Sequence, residues 1–231
     1  MICRRARRSE DSKFKVQKVT FANFDPQIRS HSPGFALQHL DPAHPYLAER
    51  GLTPEIIAEF GLGFCATGTM KDRVVIPIHN EEGELLAYAG RWPGHPPDGT
   101  PKYKLPAGFK KSLELFNLHR AIQALPEQPL VIVEGFFDAI KLWQLGLKRV
   151  VALMGSTLSP AQEELTRKHT DSRSKVLVML DEDDAGRAAR EEIIPRLARF
   201  VFVKAHVFDD EGQQPESLTI DEVNALSGGA S

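Results

Sequence analysis

Two cysteines are all that 231 residues provide, and Cys3 and Cys65 cannot build a disulfide framework. Neither belongs to a C-x-x-C pair or has spaced histidines beside it, so no zinc is expected in this chain. The eight histidines show no H-E-x-x-H spacing and are assigned no role. No apolar run is long enough to cross a bilayer. The basic start, with Arg4, Arg5, Arg7 and Arg8, lacks the apolar stretch of a secretion signal and reads as a solvated terminus. These absences point to a reduced, soluble, cytoplasmic protein that does not engage a membrane. An excess of one charge sign is missing too. Lys and Arg number 29 against 31 Asp and Glu, a formal net charge of -2, so nucleic-acid contact would have to come from local basic patches.

What is present is enough apolar residue, 42%, for one core with a smaller companion subdomain. Residues 1–44 are broken by "RSHSPG" and "DPAHP" and predict an irregular lead-in. Residues 45–125 predict a small α+β subdomain. Thr53 caps a short helix with Pro54 at its first position and Ile56, Ile57 and Phe60 on its apolar face. Two strands follow, Val74 to Ile78 and Leu85 to Ala89, joined by an Asn-Glu-Glu-Gly turn. After a Pro/Gly-rich loop, Leu113 to Ala124 shows helical spacing. From 129 to 210 the runs "LVIV", "VVALM", "VLVML" and "FVFV" alternate with helical stretches starting near Phe137, Ser159 and Ala185. That pattern predicts an α/β fold, a parallel sheet covered by helices on both faces. Ser159, Pro160 and Gln162 form a capping box at the middle helix, and Pro195 is expected to kink or end the last one. Residues 211–231 are left as a C-terminal tail.

Ligand crevices in an open parallel sheet lie beyond the carboxyl ends of its strands. Glu134 closes the first strand, Gly135 permits a tight turn, and Asp138 falls in the first turn of the next helix. The third strand ends in "DEDDAG", where Asp181 and Asp183 face one side if extended geometry persists. Glu182 and Asp184 point the other way and read as solvated or capping. Taken singly, Glu134 is an ordinary strand-end residue and Asp183 an ordinary helix cap. Together the acids would repel unless a hard divalent cation, Mg2+ or Mn2+, neutralised them.

The stretches "VEGFFDA" and "LDEDDAGR" resemble the Toprim domain, the metal-binding module of DnaG-type primases, topoisomerases, RecR-like repair proteins and some nucleases. "DRVVIPIHNEEGELLAYAGRW", "TPKYKLP" and "FKKSLELFNLHRA", in that order, resemble the N-terminal subdomain of the DnaG-type primase catalytic core. The resemblance implies a primase-like nucleotidyltransferase making short RNA primers on single-stranded DNA from ribonucleoside triphosphates. It implies that Glu134, Asp138, Asp181 and Asp183 are metal-site acids, with Glu134, Asp181 and Asp183 the catalytic set, and that Gly155 and Thr157 belong to the loop after the second Toprim strand. It also implies that Arg91, Lys102 and Lys111 grip template or nucleotide. Lys102, Lys104, Lys110 and Lys111 lie on a loop interleaved with Tyr103 and Phe109, a composition suited to single strands.

Two departures stand out. Where the family carries a late Asp-Pro-Asp, this chain has "QPESL", leaving only Glu216 as an acid. The zinc-binding and helicase-docking domains of such primases have no counterpart, so a separate zinc-finger protein or a replicative helicase is an expected partner. The rival readings are a Toprim nuclease and a non-catalytic DNA-binding accessory subunit or truncated remnant of a primase.

Overall fold

The structure is a computed structural model that describes residues 37, 39–124 and 127–226. The expectations for residues 1–36, including Cys3 and the four N-terminal arginines, lie outside the described residues, as does the end of the tail from 227 onward.

The chain enters through two short helices, α1 (Pro45–Glu49) and α2 (Pro54–Phe60). Both begin on a proline, whose missing N–H costs nothing in a first turn. Thr53 Oγ1 accepts the Ile56 N–H, and Gly61, at φ 63°, ends α2 in the left-handed region that glycine enters most easily. Four antiparallel strands follow in spatial order: β1 (Gly63–Cys65), β2 (Arg73–His79), β3 (Leu85–Arg91) and β4 (Tyr103–Lys104). The β2–β3 hairpin is the one the sequence predicts, and the short β1 and β4 extend it on either side. After α3 (Leu118–Ala121) come β5 (Leu130–Val133), α4 (Phe136–Gln144), β6 (Val150–Ala152), α5 (Pro160–Lys168), β7 (Lys175–Val178), α6 (Asp184–Leu197) and β8 (Phe202–Ala205). These four strands form a parallel sheet in the order β6-β5-β7-β8.

Alternation along the strands separates the two faces of this sheet. Val131, Val133, Val150, Ala152 and Leu177 join a cluster with Phe137 and Ile140 of α4, whereas Leu130, Ile132, Val151, Val176 and Val178 pack with Ala189, Ile193 and Leu197 of α6. Burial on both faces explains why the strands read as continuous apolar runs. The first cluster also takes in Tyr46, Leu47, Phe60, Val74 and Ile76, so the antiparallel and parallel sheets share one core. Residues beyond 210 pack as well: a 3-10 turn at Pro215–Ser217 leads to α7 (Ile220–Leu226), with Leu218 and Val223 buried in that same core.

Helical spacing from Leu113 to Ala124 does not give one helix. A 3-10 turn covers Lys111–Leu113, Phe116 exchanges two backbone hydrogen bonds with Ala152 at 3.0 and 3.1 Å, and Asn117 adopts φ 68° with its Nδ2 donating to the Val150 carbonyl at 2.9 Å. Pairing with the edge of β6 overrides local propensity, and only the four residues of α3 remain helical. The Ser159–Gln162 capping box is formed, and α6 ends two residues beyond Pro195.

Candidate metal and nucleic-acid site

The acids gather where β5 and β7 end. Glu134 lies directly after β5, half-buried, and its Oε1 accepts the Asp181 N–H at 3.3 Å. Burial first, and then the charges of Asp181 and Asp183, push its pKa up to about 7. Asp181 is raised to about 6 by burial and by Asp183 and Glu216, with Lys102 the cation that opposes the shift. Asp138 is 8% exposed and is raised to about 7 by burial, Asp181 and Glu216. Its Oδ2 accepts the Gly135 N–H at 3.1 Å and so caps α4.

Backbone closeness holds this group together. A Cβ on Gly186 would stand 2.0 Å from the Asp181 carbonyl oxygen and 3.1 Å from Glu134 Oε1, so only a hydrogen fits there. The Gly155 N–H donates to the Glu134 carbonyl at 3.2 Å, which brings the loop after β6 to the same rim, while Thr157 is exposed farther along it. Met154, just before Gly155, sits at φ 60°, an uncommon conformation for a residue with a side chain.

Asp183 is exposed and caps α6, its Oδ1 accepting the Gly186 N–H at 2.8 Å. Glu182 corrects the expectation from alternation. It is buried rather than solvated, and Arg190 takes both of its oxygens at 2.7 and 2.8 Å, which holds its pKa down at about 2. Asp184 is solvated and pairs with Arg187 at 2.6 Å.

Sequence reasoning missed Arg50. It forms an ion pair with Glu216, lies 4.8 Å over the Phe137 ring, and lowers the pKa of Asp138 against the larger upward causes. The partners are 166 residues apart, a separation at which no spacing pattern could reveal them.

The basic residues divide. Lys102 and Lys110 are exposed. Lys111 donates to the Met154 carbonyl at 2.8 Å, beside Gly155. Arg91 is only 6% exposed, with its guanidinium 5.1 Å from the Tyr103 ring centroid and 5.8 Å from that of Tyr46, and its Nε and Nη1 have no hydrogen-bond partner. Tyr103 packs against Phe136, and Phe109 packs on the core, so neither ring stands free in solvent.

Could this rim hold a cation? Among the described residues, no three His, Cys, Asp or Glu side chains already enclose a metal position. The donor chemistry nevertheless suits a hard divalent ion. Every candidate donor is a carboxylate oxygen, burial and then their mutual repulsion raise three pKa values, and Asp181 Oδ1 is buried without any partner. An open groove of about 380 Å³, lined by Arg187, Arg190, Glu191, Ile194, Pro195 and Ala205, includes none of the four acids.

A parallel sheet with acids at the ends of two of its strands is the arrangement of a Toprim-like domain, and residues 131–215 match the family of that description. The chain as a whole resembles the catalytic core of DnaG-type DNA primases. It is 30% identical over 212 residues to the DNA primase of Aquifex aeolicus, covering 76% of this chain and 42% of that protein. To the DNA primase of Pseudomonas aeruginosa it is 31% identical over 222 residues, covering 75% and 32%. The structure superposes on a DnaG primase catalytic domain bound to single-stranded DNA with a TM-score of 0.68 and 25% identity, over 80% of this chain and 70% of that one. The chain thus spans less than half the length of the two curated relatives.

Proposed function

We propose that this chain performs metal-dependent synthesis of short RNA primers on single-stranded DNA, the 3'-hydroxyl of one ribonucleotide attacking the α-phosphate of the next ribonucleoside triphosphate as the bond to its β-phosphate breaks and pyrophosphate leaves. The observation that carries the reading is the charge imbalance at the rim: Glu134 and Asp181 repel each other, and a buried Asp181 oxygen has nothing to bind. Asp181, Glu134 and Asp183 would hold Mg2+ or Mn2+, with Asp138 behind them. When bound, the ion neutralises phosphate charge and lowers the pKa of the attacking 3'-hydroxyl.

The protein's own groups would do the rest. Lys102, the cation that acts on Asp181, would meet a phosphate at the rim, and exposed Lys110 would add basic surface for a template strand. Lys111 fixes the loop that carries Gly155. Arg91 keeps two buried donors unspent between two tyrosine rings, donors that a phosphate oxygen would satisfy.

The test is incubation of the chain with short single-stranded DNA templates, labelled ribonucleotides and Mg2+ or Mn2+, with intact DNA monitored in the same tube. New RNA of a few nucleotides supports the proposal. Metal-dependent cutting of the DNA would replace it with the nuclease reading, and DNA binding without either product would point to an accessory module.

A further inference from the structure

Glu182 stands between Asp181 and Asp183, yet its side chain is spent elsewhere. Arg190 Nη1 donates to Oε2 at 2.7 Å and Nη2 to Oε1 at 2.8 Å, a two-pronged contact in which each side chain is only 9% exposed. Arg187 Nη1 adds a longer contact to Oε1 at 3.5 Å. The backbone of Glu182 is fastened as well: its N–H donates to the Gln213 carbonyl at 2.9 Å, and its carbonyl accepts the Gly212 N–H at 2.7 Å. One residue on, Asp183 caps α6, the helix that carries Arg190.

A buried ion pair of this kind contributes little net stability, because desolvation of the two charges offsets most of their attraction. What a planar guanidinium gripping both carboxylate oxygens supplies is direction. With Glu182 fixed from behind by α6 and by residues 212–213, the Asp side chains on either side of it are left to act on Glu134. We propose that Glu182 and Arg190 are positioning residues for the acid rim: the pair locks the 181–183 loop so that Asp181 and Asp183 meet Glu134 around one cation. This rests on the metal reading given above.

The experiment uses the full chain and Mn2+ as probe, with free Mn2+ followed by electron paramagnetic resonance and amide hydrogen exchange measured on metal-free protein. Glu182→Gln is expected to raise the Mn2+ half-saturation concentration about tenfold, within the range seen when groups that orient metal ligands are removed. Exchange should quicken at residues 181–186 while β5 keeps its protection. Arg190→Lys, which keeps the charge and loses the fork, should fall between wild type and Glu182→Gln; it also serves if the glutamine variant folds poorly. Arg196→Gln breaks pairs with Glu163 and Glu192 farther along the same helix, so it should lower the melting temperature and leave Mn2+ binding unaltered. The positioning role is overturned if Glu182→Gln and Arg190→Lys bind Mn2+ like wild type, or if Arg196→Gln weakens binding equally. Wild type that binds no Mn2+ would instead sink the metal reading, and the positioning role with it.

Discussion

Between Glu134 and Asp181 the direct contact is a backbone N–H donated to a carboxylate at 3.3 Å, while the two side-chain charges repel. Burial first, and then repulsion among the acids, makes both groups, and Asp138 with them, hold their protons to higher pH in the folded chain than in the unfolded one, near 6 to 7 against ordinary values of 3.8 to 4.5. The folded state binds more protons across that window, so stability is fully present below about pH 4 for these groups and is lost as pH rises through 6 to 7. Without divalent metal, the melting temperature should decline from pH 5 to pH 8, and Mg2+ or Mn2+ should reverse much of the decline by binding the ionised acids. Asp181→Asn should flatten the decline and melt higher at pH 8 in the absence of metal; a lower melting point there would refute the repulsion. Gly186 gives a second prediction. Alanine is the better helix former, yet at this position its Cβ would collide with the Asp181 carbonyl at 2.0 Å. Gly186→Ala is expected to cost roughly 1–3 kcal/mol, as overpacking does, and to weaken metal binding. Calorimetry paired with a Mn2+ titration checks both effects.

The elements differ in how plainly the sequence announces them. Strands β5, β6 and β7 are legible because each is buried on both faces and bounded by turn residues, and α2 and α5 because Thr53 and the Ser159–Gln162 pair cap them within three residues. Such signals are local. The stretch after Lys111 is not legible, since what decides it is the pairing of Phe116 with Ala152, 36 residues away, a partner that no periodicity reveals. The burial of Glu182 is illegible for a related reason. Alternation sends it away from the acids correctly, but α6 starts at once and returns Arg190 to it, turning a solvated face into a buried one. Asn117 tests the local account. It is fully buried, adopts φ 68°, and donates to the Val150 carbonyl. Asn117→Ala should cost about 2–4 kcal/mol, from left-handed strain together with an unpaired carbonyl. Asn117→Gly, which relieves the strain alone, should cost less. Urea unfolding of the two variants would expose the account as wrong if glycine were the more damaging.

At the scale of the whole molecule, one core joins the antiparallel sheet, the parallel sheet and the segment through Val223, so groups from distant parts of the chain meet at one rim: Arg50 from the first turn after α1, Lys102 from the β3–β4 loop, the acids from β5 and β7, and Glu216 from beyond β8. The acid positions were legible in the sequence because strand ends mark them, whereas the Arg50–Glu216 pair closing the rim was not. That convergence gathers carboxylate oxygens and the cations Arg50 and Lys102 at one rim. The measurement that tests this most directly is the initial rate of ribonucleotide incorporation on a single-stranded DNA template, as a function of Mg2+, for wild type and Asp181→Ala. Metal-dependent primer synthesis by wild type and a loss of about a hundredfold or more in Asp181→Ala is the predicted result, in line with the removal of a group that stabilises the transition state. Synthesis that persists unchanged in Asp181→Ala would contradict the account.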